Sequence, residues 1–405
     1  MVNGAAALAL APAAAKAQAV QVSASARAVH NRLMCLDTHM DMPANLARQG
    51  WDVMTRHSPD MDMTQVDYPR MIEGGLDGGF FAIYTPQAPL TQEGMNAMRD
   101  AAFLRAAEIR EMVAAHPGKF ELAFVPADAA RIAAAGKIVV FQSIENSGII
   151  GNDVSLLRSF YKLGVRMAGP IHFLNNQLGD SATDKKKWGG LSPMGRDFVK
   201  LANDLGIILD ASHSSDDVFD QMLAQSRAPI ICSHSGCRAV HDHPRNLDDA
   251  RIKKLAAAGS TIQINSYNEY LIDVPPNPAR DKARRAVFGK MENLDKMTPA
   301  DAARTLKEMA AARVALDKQY PSPRANFEMF MQHVYHALDL VGPDHVGIGP
   351  DWDGGGGVTG MEDVASLPRI TEQLLKKGYK ESQLANFWSG NTMRVLGKVV
   401  AARKA

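Results

Sequence analysis

Apolar, often β-branched runs of four to seven residues alternate along this chain with longer stretches whose apolar positions recur at helical spacing. Eight runs stand out: Leu33–Asp37, Gly79–Tyr84, Ile138–Ile144, Val165–Ile171, Ile207–Asp210, Pro229–Ser233, Thr261–Asn265 and Val346–Gly349. Between them the spacing predicts helices over Gln92–His116, Gly151–Leu163, Pro193–Leu205, Ser215–Gln225 and Asp248–Ala258. Such alternation implies βαβ units and a parallel sheet, and eight repeats suit a closed barrel. The expected fold is α/β, a (β/α)8 TIM-like barrel. An open doubly wound sheet would carry a glycine-rich phosphate turn after the first run, and Asp37-Thr38-His39-Met40-Asp41 is nothing of the kind.

About 80 residues separate the last two runs, where a barrel repeat needs a few tens. Thr298-Pro299-Ala300-Asp301 reads as N-cap, N1 proline and N3 acid, opening a helix that reaches about Tyr320 before Pro321 and Pro323 stop it. A second helix, Asn326–Val341, leads into the last run. The long helical insertion before the last strand, about residues 271–325, is expected on the loop face of the barrel as a lid or a subunit contact. At the other end, Gly4 to Ala15 is almost wholly Ala, Leu and Pro, and Ala17-Gln18-Ala19 has the form of a cleavage site, although no basic segment precedes it. Residues 1–30 are therefore expected to be a signal-peptide-like or disordered leader, with the barrel over 31–405. Cleavage would make the protein periplasmic or secreted; an uncleaved leader would leave it cytoplasmic.

Lys plus Arg number 45 against 44 for Asp plus Glu, a net charge of +1, which argues against nucleic-acid binding or a polybasic membrane surface. Hydrophobic content of 46% and charged content of 22% are those of a folded globular protein. Cys35, Cys232 and Cys237 are too few and odd in number for a disulfide framework. No stretch approaches the roughly 20 apolar residues that a spanning helix needs.

The candidate chemistry lies at the downstream ends of the runs. The first ends in His39 and Asp41, the third in Glu145 and the fourth in His172. The fifth ends in His213, the sixth in His234 and the eighth in Asp351 and Asp353. In a parallel barrel all these ends open onto one face, so the side chains converge. Imidazoles and carboxylates gathered there without thiols suit divalent metals. The spacing of two in His39-Met40-Asp41 puts both side chains on one face of an extended strand, where both can ligate one ion. Glu145 is either a bridging carboxylate, having two oxygens and about four lone-pair sites, or a helix-start acid. His213 and His234 lie one βα unit apart and can reach a second ion together. Cys232 shares strand parity with His234, so it is either a thiolate ligand or a small buried apolar residue. His172 is a sixth ligand or an oxyanion stabiliser, and Asp351 can exchange protons with an activated water. Arg245 is either a solvated surface charge or a bidentate clamp on a substrate carboxylate.

With these residues in order, the sequence resembles the membrane (renal) dipeptidase family of zinc metallopeptidases, in the amidohydrolase superfamily. The resemblance runs from about Leu33 to Leu396. Its landmarks include Asp37-Thr38-His39-Met40-Asp41, Ile144-Glu145, Asp210-Ala211-Ser212-His213, Ser233-His234-Ser235, His243-Pro244-Arg245-Asn246 and Gly349-Pro350-Asp351-Trp352-Asp353-Gly354. It implies two zinc ions per chain, with manganese, cobalt or iron as alternatives. By that similarity His39 and Asp41 hold one ion, His213 and His234 the other, and Glu145 bridges both. It further implies that His172 meets the scissile carbonyl, Asp351 shuttles a proton, and Arg245 with Tyr267 holds the carboxylate of a dipeptide substrate. A C-terminal D-residue is tolerated in the family, and a homodimer is a family expectation. Asn146 and Ser147 stand where small glycines are usual, and Ala211 replaces a bulkier aliphatic residue. These departures bear on substrate identity, with a β-lactam, an N-acyl amino acid or peptide modification in siderophore maturation as alternatives. A metal-binding scaffold without catalysis would have no chemical need to keep Asp351.

Overall fold

Strands covered on both faces read as continuous apolar runs, and Ile-Val-Val-Phe-Gln-Ser-Ile at 138–144 is buried along its whole length. The computed structural model describes residues 22–404. Its strands are β1 (Leu36–Met40), β2 (Gly78–Ile83), β3 (Phe120–Leu122), β4 (Ile138–Ile144), β5 (Val165–Ala168), β6 (Ile208–Leu209), β7 (Ile231–Cys237), β8 (Asn246–Leu247), β9 (Thr261–Ile264) and β10 (Val346–Ile348). They pair in parallel, in the orders β1-β2-β4-β5-β6 and β10-β9-β7-β8, with β3 beside β4. Parallel bridges Asp210–Ile231 and Met40–Trp352 join the two sheets at both edges. The circuit β1-β2-β4-β5-β6-β7-β9-β10 thus closes as the expected TIM-like barrel.

Each of the eight runs overlaps one strand of that circuit, and the largest displacements are at β1 and β7. The first strand begins at Leu36 because the backbone N–H of Leu33 still closes the preceding helix on His30. It then continues through Thr38 and His39, and β7 continues through His234 to Cys237. An apolar criterion truncates both, since the extra residues are polar. The short strands β3 and β8 lie outside the circuit and carry too few residues for a pattern.

Leu36, Phe80, Val139, Phe141, Met167, Ile208 and Ile231 form one apolar cluster with Met393, Val395, Leu396 and Val399 of the C-terminal helix Asn391–Ala401. Their sequence neighbours Phe81, Val140 and Leu209 join the larger cluster of the helical shell. Alternate strand residues therefore fill the barrel and face the helices, as period-two geometry requires. The helices carry their own start and stop chemistry. Ser192 caps Pro193–Leu205 by accepting from the Gly195 N–H, and Gly206 ends it at φ +79°, a left-handed conformation that costs glycine little.

Between β9 and β10 lie helices Asn268–Leu271, Pro278–Phe288 and Pro299–Gln319, before Phe327–Val341. The insertion packs on the loop that follows β1. Leu294, Ala302 and Leu306 cluster with Met63 and Met297, and Arg313 donates to the Pro59 carbonyl at 2.9 Å. That loop follows the downstream end of β1.

Of the expected leader, residues 1–21 lie outside the described residues. Residues 24–30 instead form a helix packed on Pro368–Lys376, with His30 buried against Thr371 (2.7 Å) and the Gly74 carbonyl (2.9 Å). An Ala- and Val-rich composition does not separate a leader from a short amphipathic helix, so the folded body begins before residue 31. No helix among the described residues is long and apolar enough to cross a membrane.

Candidate active site

The downstream strand ends bring His39, Asp41, Glu145, His172, His213, His234 and Asp351 into one buried pocket. Glu145 is its centre. One carboxylate oxygen, Oε1, lies 3.2 Å from His213 Nε2, 3.3 Å from His172 Nε2, 3.5 Å from His39 Nε2 and 3.6 Å from His234 Nε2. His39 Nε2 is also 3.4 Å from Asp41 Oδ2. Three sets of donor atoms each fall within 4.8 Å of one another: His39, Glu145 and His234; Glu145, His172 and His213; His39, Asp41 and Asp351. The first two share Glu145, and His39 joins the third to the first.

Local backbone irregularities aim these side chains. Along β1 and β2 the register passes from Asp37–Gly79 to Met40–Phe81, three residues against two, so a bulge falls at Thr38–His39. Along β7 and β9 it passes from Cys232–Ile262 to Ser235–Ile264, a second bulge at Ser233–His234. A bulge turns a side chain out of the regular alternation. It also breaks the parity between Cys232 and His234, and Cys232 lies in the apolar core, its thiol pushed well up by burial. Asp41 is not in an extended strand either. Its φ of −89° and ψ of 8° open a short turn of helix, and that turn carries its carboxylate back to His39.

His213 (φ +65°) and Asp351 (φ +70°) adopt left-handed backbone, which is uncommon for side chains other than glycine. Gly354 sits between two acids. A Cβ there would lie 2.0 Å from Asp41 Oδ2 and 2.2 Å from Asp351 Oδ1, so only glycine fits. Asp353 turns away, accepting from the Gln65 N–H at 2.6 Å.

Behind the ligands runs a polar relay. Ser233 Oγ donates to Asp210 Oδ2 at 2.5 Å and lies 2.8 Å from His234 Nδ1. With its proton committed to Asp210, the hydroxyl accepts from His234 Nδ1–H, which leaves the Nε2 lone pair facing Glu145. Asp210 Oδ1 also accepts from the backbone N–H groups of Ser212 (3.0 Å) and Ser233 (2.9 Å).

The electrostatics run in opposite directions within a few ångströms. Burial, reinforced by His39, His213 and Arg245, pushes His234 well below the usual imidazole range, and burial with Arg245 and His172 does the same to His213. Both imidazoles therefore favour the neutral form, the one that can offer a lone pair. Despite burial, His172 and His39 hold Glu145 well below the carboxylate range, and Asp41 with Glu145 raises His39. Burial pushes Asp351 well up, and the neighbouring Asp41 and Glu145 add to it. These residues fit a divalent metal centre. Imidazole nitrogens and carboxylate oxygens crowd together at 3.2–3.6 Å, and His39 Nε2, His234 Nε2 and Asp41 Oδ1 are buried without a hydrogen-bond partner. A nitrogen–oxygen donor set without thiolate suits zinc, manganese, cobalt or iron.

Arg245 is buried, not a solvated surface charge. Its Nη2 donates to the His234 carbonyl at 3.1 Å, and its guanidinium lies over the Tyr270 ring at 5.0 Å. Tyr267 lies beside Tyr270, ring centroids 4.5 Å apart and planes tilted by 33°. Burial raises the Tyr267 phenol, Glu269 adds to this, and Arg284 of the inserted helix opposes it. Sequence reasoning missed Tyr270 and Tyr84. The Tyr84 ring meets His172 edge-on at 5.5 Å, and burial with the carboxylates of Glu145, Asp41 and Asp351 raises its phenol. Its position at the downstream end of the second run was the available signal. Tyr270 had none, because a helical turn carries it.

A barrel mouth with this donor set defines a metal-dependent hydrolase. The family model for membrane dipeptidases (peptidase family M19) matches residues 23–405, and the chain belongs to that family of peptide-bond hydrolases. It is 28% identical over 373 residues to dipeptidase tcpJ of Claviceps purpurea, covering 90% of this chain and 76% of that one. The probable dipeptidase PvdM from Pseudomonas aeruginosa superposes with a TM-score of 0.78 at 29% identity, over 93% of this chain and 98% of that chain. The fold is also that of a metallopeptidase from Rhodobacter sphaeroides, solved with a phosphinate mimic of L-Ala-D-Ala, at a TM-score of 0.71 and 24% identity, over 91% and 99% of the chains.

Proposed function

We propose that this protein is a binuclear zinc dipeptidase that accepts a D-residue at the C-terminal position. The observation that carries the proposal is the approach of four imidazole Nε2 atoms to the single oxygen Glu145 Oε1, at 3.2–3.6 Å. His39 and Asp41 would hold one ion, His213 and His234 the other, and Glu145 would span both with its two oxygens. When bound, such ions supply positive charge that polarises a carbonyl and lowers the pKa of water.

The remaining work falls to the chain's own groups. Asp351, kept at high proton affinity by burial, takes the proton of the attacking water and passes it to the departing amine. His172, fixed beside Glu145, donates to the oxygen on which charge develops in the transition state. Arg245 and Tyr267 hold the free carboxylate, which restricts substrates to short peptides. The test is the metal content of purified protein together with turnover of L,L- and L,D-dipeptides, N-acyl amino acids and β-lactams. Near two zinc per chain and preferential dipeptide hydrolysis support the proposal. Preference for another amide, or no bound metal, refutes it.

A further inference from the structure

A cavity of about 190 Å³ opens among the loops that follow β2, β4 and β5, and no role assigned above uses it. Its walls include Gln87, Leu90, Met98, Asn146, Leu174 and Asp184. In the barrel circuit β2, β4 and β5 are the second to fourth strands, whereas Arg245 and Tyr270 follow β7 and β9, the sixth and seventh. The cavity and the carboxylate clamp therefore lie on opposite sides of the mouth, with Glu145 between them and Asn146 next to it in the chain. A dipeptide whose carboxylate meets Arg245 points its N-terminal residue toward the cavity.

The polar groups of the cavity are committed, with one exception. Gln87 exchanges two hydrogen bonds with the Leu174 backbone, at 2.8 and 3.0 Å. Asn176 donates to the Pro170 carbonyl (2.7 Å) and Asn146 Oδ1 (3.1 Å), and accepts from the Leu178 N–H (2.7 Å). Asn146 Oδ1 also accepts from the Gly148 N–H at 3.0 Å, which fixes the oxygen end of that amide. Its other end, Nδ2, is buried without a partner. An unpaired buried donor is costly to leave unmade, so it favours an incoming acceptor. The apolar part of the rim is exposed, Leu90 by 41% and Leu174 by 54%. Asp184 adds a negative charge that disfavours an anion.

We propose that this cavity is the subsite for the side chain of the N-terminal substrate residue, selecting an apolar stem that ends in a neutral carbonyl acceptor, as in glutamine. The inference rests on the dipeptidase reading. The zinc-loaded enzyme is assayed on Gln-Ala, Leu-Ala, Glu-Ala and Ala-Ala. Wild type is expected to favour Gln-Ala over both Leu-Ala and Glu-Ala by about tenfold in kcat/KM, the size of one net hydrogen bond. Asn146→Gly should bring the Gln-Ala to Leu-Ala ratio close to one, an internal ratio insensitive to general loss of activity. A wild type without preference for Gln-Ala, or an Asn146→Gly variant that keeps it, overturns the assignment. Failure to hydrolyse any of the four overturns the dipeptidase reading, and this subsite with it.

Discussion

Ser233→Ala removes a hydroxyl that touches no substrate, yet it should loosen the metal centre. Ser233 Oγ sits between Asp210 Oδ2 at 2.5 Å and His234 Nδ1 at 2.8 Å, all buried. Alanine leaves the His234 Nδ1–H without an acceptor and frees the ring to rotate about its χ angles. Asp210 keeps the Ser212 and Ser233 amides, so the loop itself is retained. Loss of an orienting partner behind a ligand histidine typically weakens metal affinity about 10–100-fold, or roughly 1.4–2.8 kcal/mol. Competition with a chromogenic chelator measures this directly. A positioning role also predicts that excess zinc restores most of the turnover, which a merely destabilised fold would not allow. Zinc affinity within about twofold of wild type refutes the relay.

Asp351→Asn should retain its metal ions and lose about 10²–10⁴-fold in kcat, and near-normal turnover would remove Asp351 as proton carrier. Arg245→Ala should raise KM for dipeptides about 10–100-fold, the loss of one hydrogen bond to a charged group, with kcat less affected; an unchanged KM places the carboxylate elsewhere. His30 gives a stability prediction. Burial lowers its pKa from 6.5 to about 4, so the folded state resists protonation that the unfolded chain accepts. Its contribution is complete above pH 6.5 and falls by roughly 3 kcal/mol as pH drops to about 4. Urea unfolding of wild type and His30→Asn across that window should converge toward acid pH, and parallel curves would contradict the assignment.

Much of the site was legible because metal chemistry demands residue types that barrel interiors otherwise exclude. His39, Glu145, His213 and His234 stood out as polar punctuation after apolar runs, and parallel topology alone carried them to one face. Less was legible where geometry departs from regular periods. The expectation that His39 and Asp41 share a strand face reached the right neighbours by the wrong backbone: a bulge and a turn bring them together. The same kind of bulge made the parity of Cys232 misleading. Arg245 left two readings open, a solvated charge or a carboxylate clamp, and only tertiary structure buries it and places Tyr270 beneath it.

The left-handed backbone at His213 and Asp351 explains why sequence periodicity had to fail there. An extended residue at either position would send its side chain along the strand, past the pocket. The positive φ turns each one inward at a cost of order 1–3 kcal/mol, which persists only if neighbours over-determine the conformation. They do so here. The His213 carbonyl accepts from the Ala182 N–H at 2.8 Å, and the Asp351 carbonyl accepts from the Gly354 and Gly356 N–H groups at 3.2 and 2.8 Å. The side chain of Gly354 is absent at the one point where two carboxylates need its space. The loops that look least regular in the sequence therefore do the aiming, and the regular strands hold the positions from which they aim.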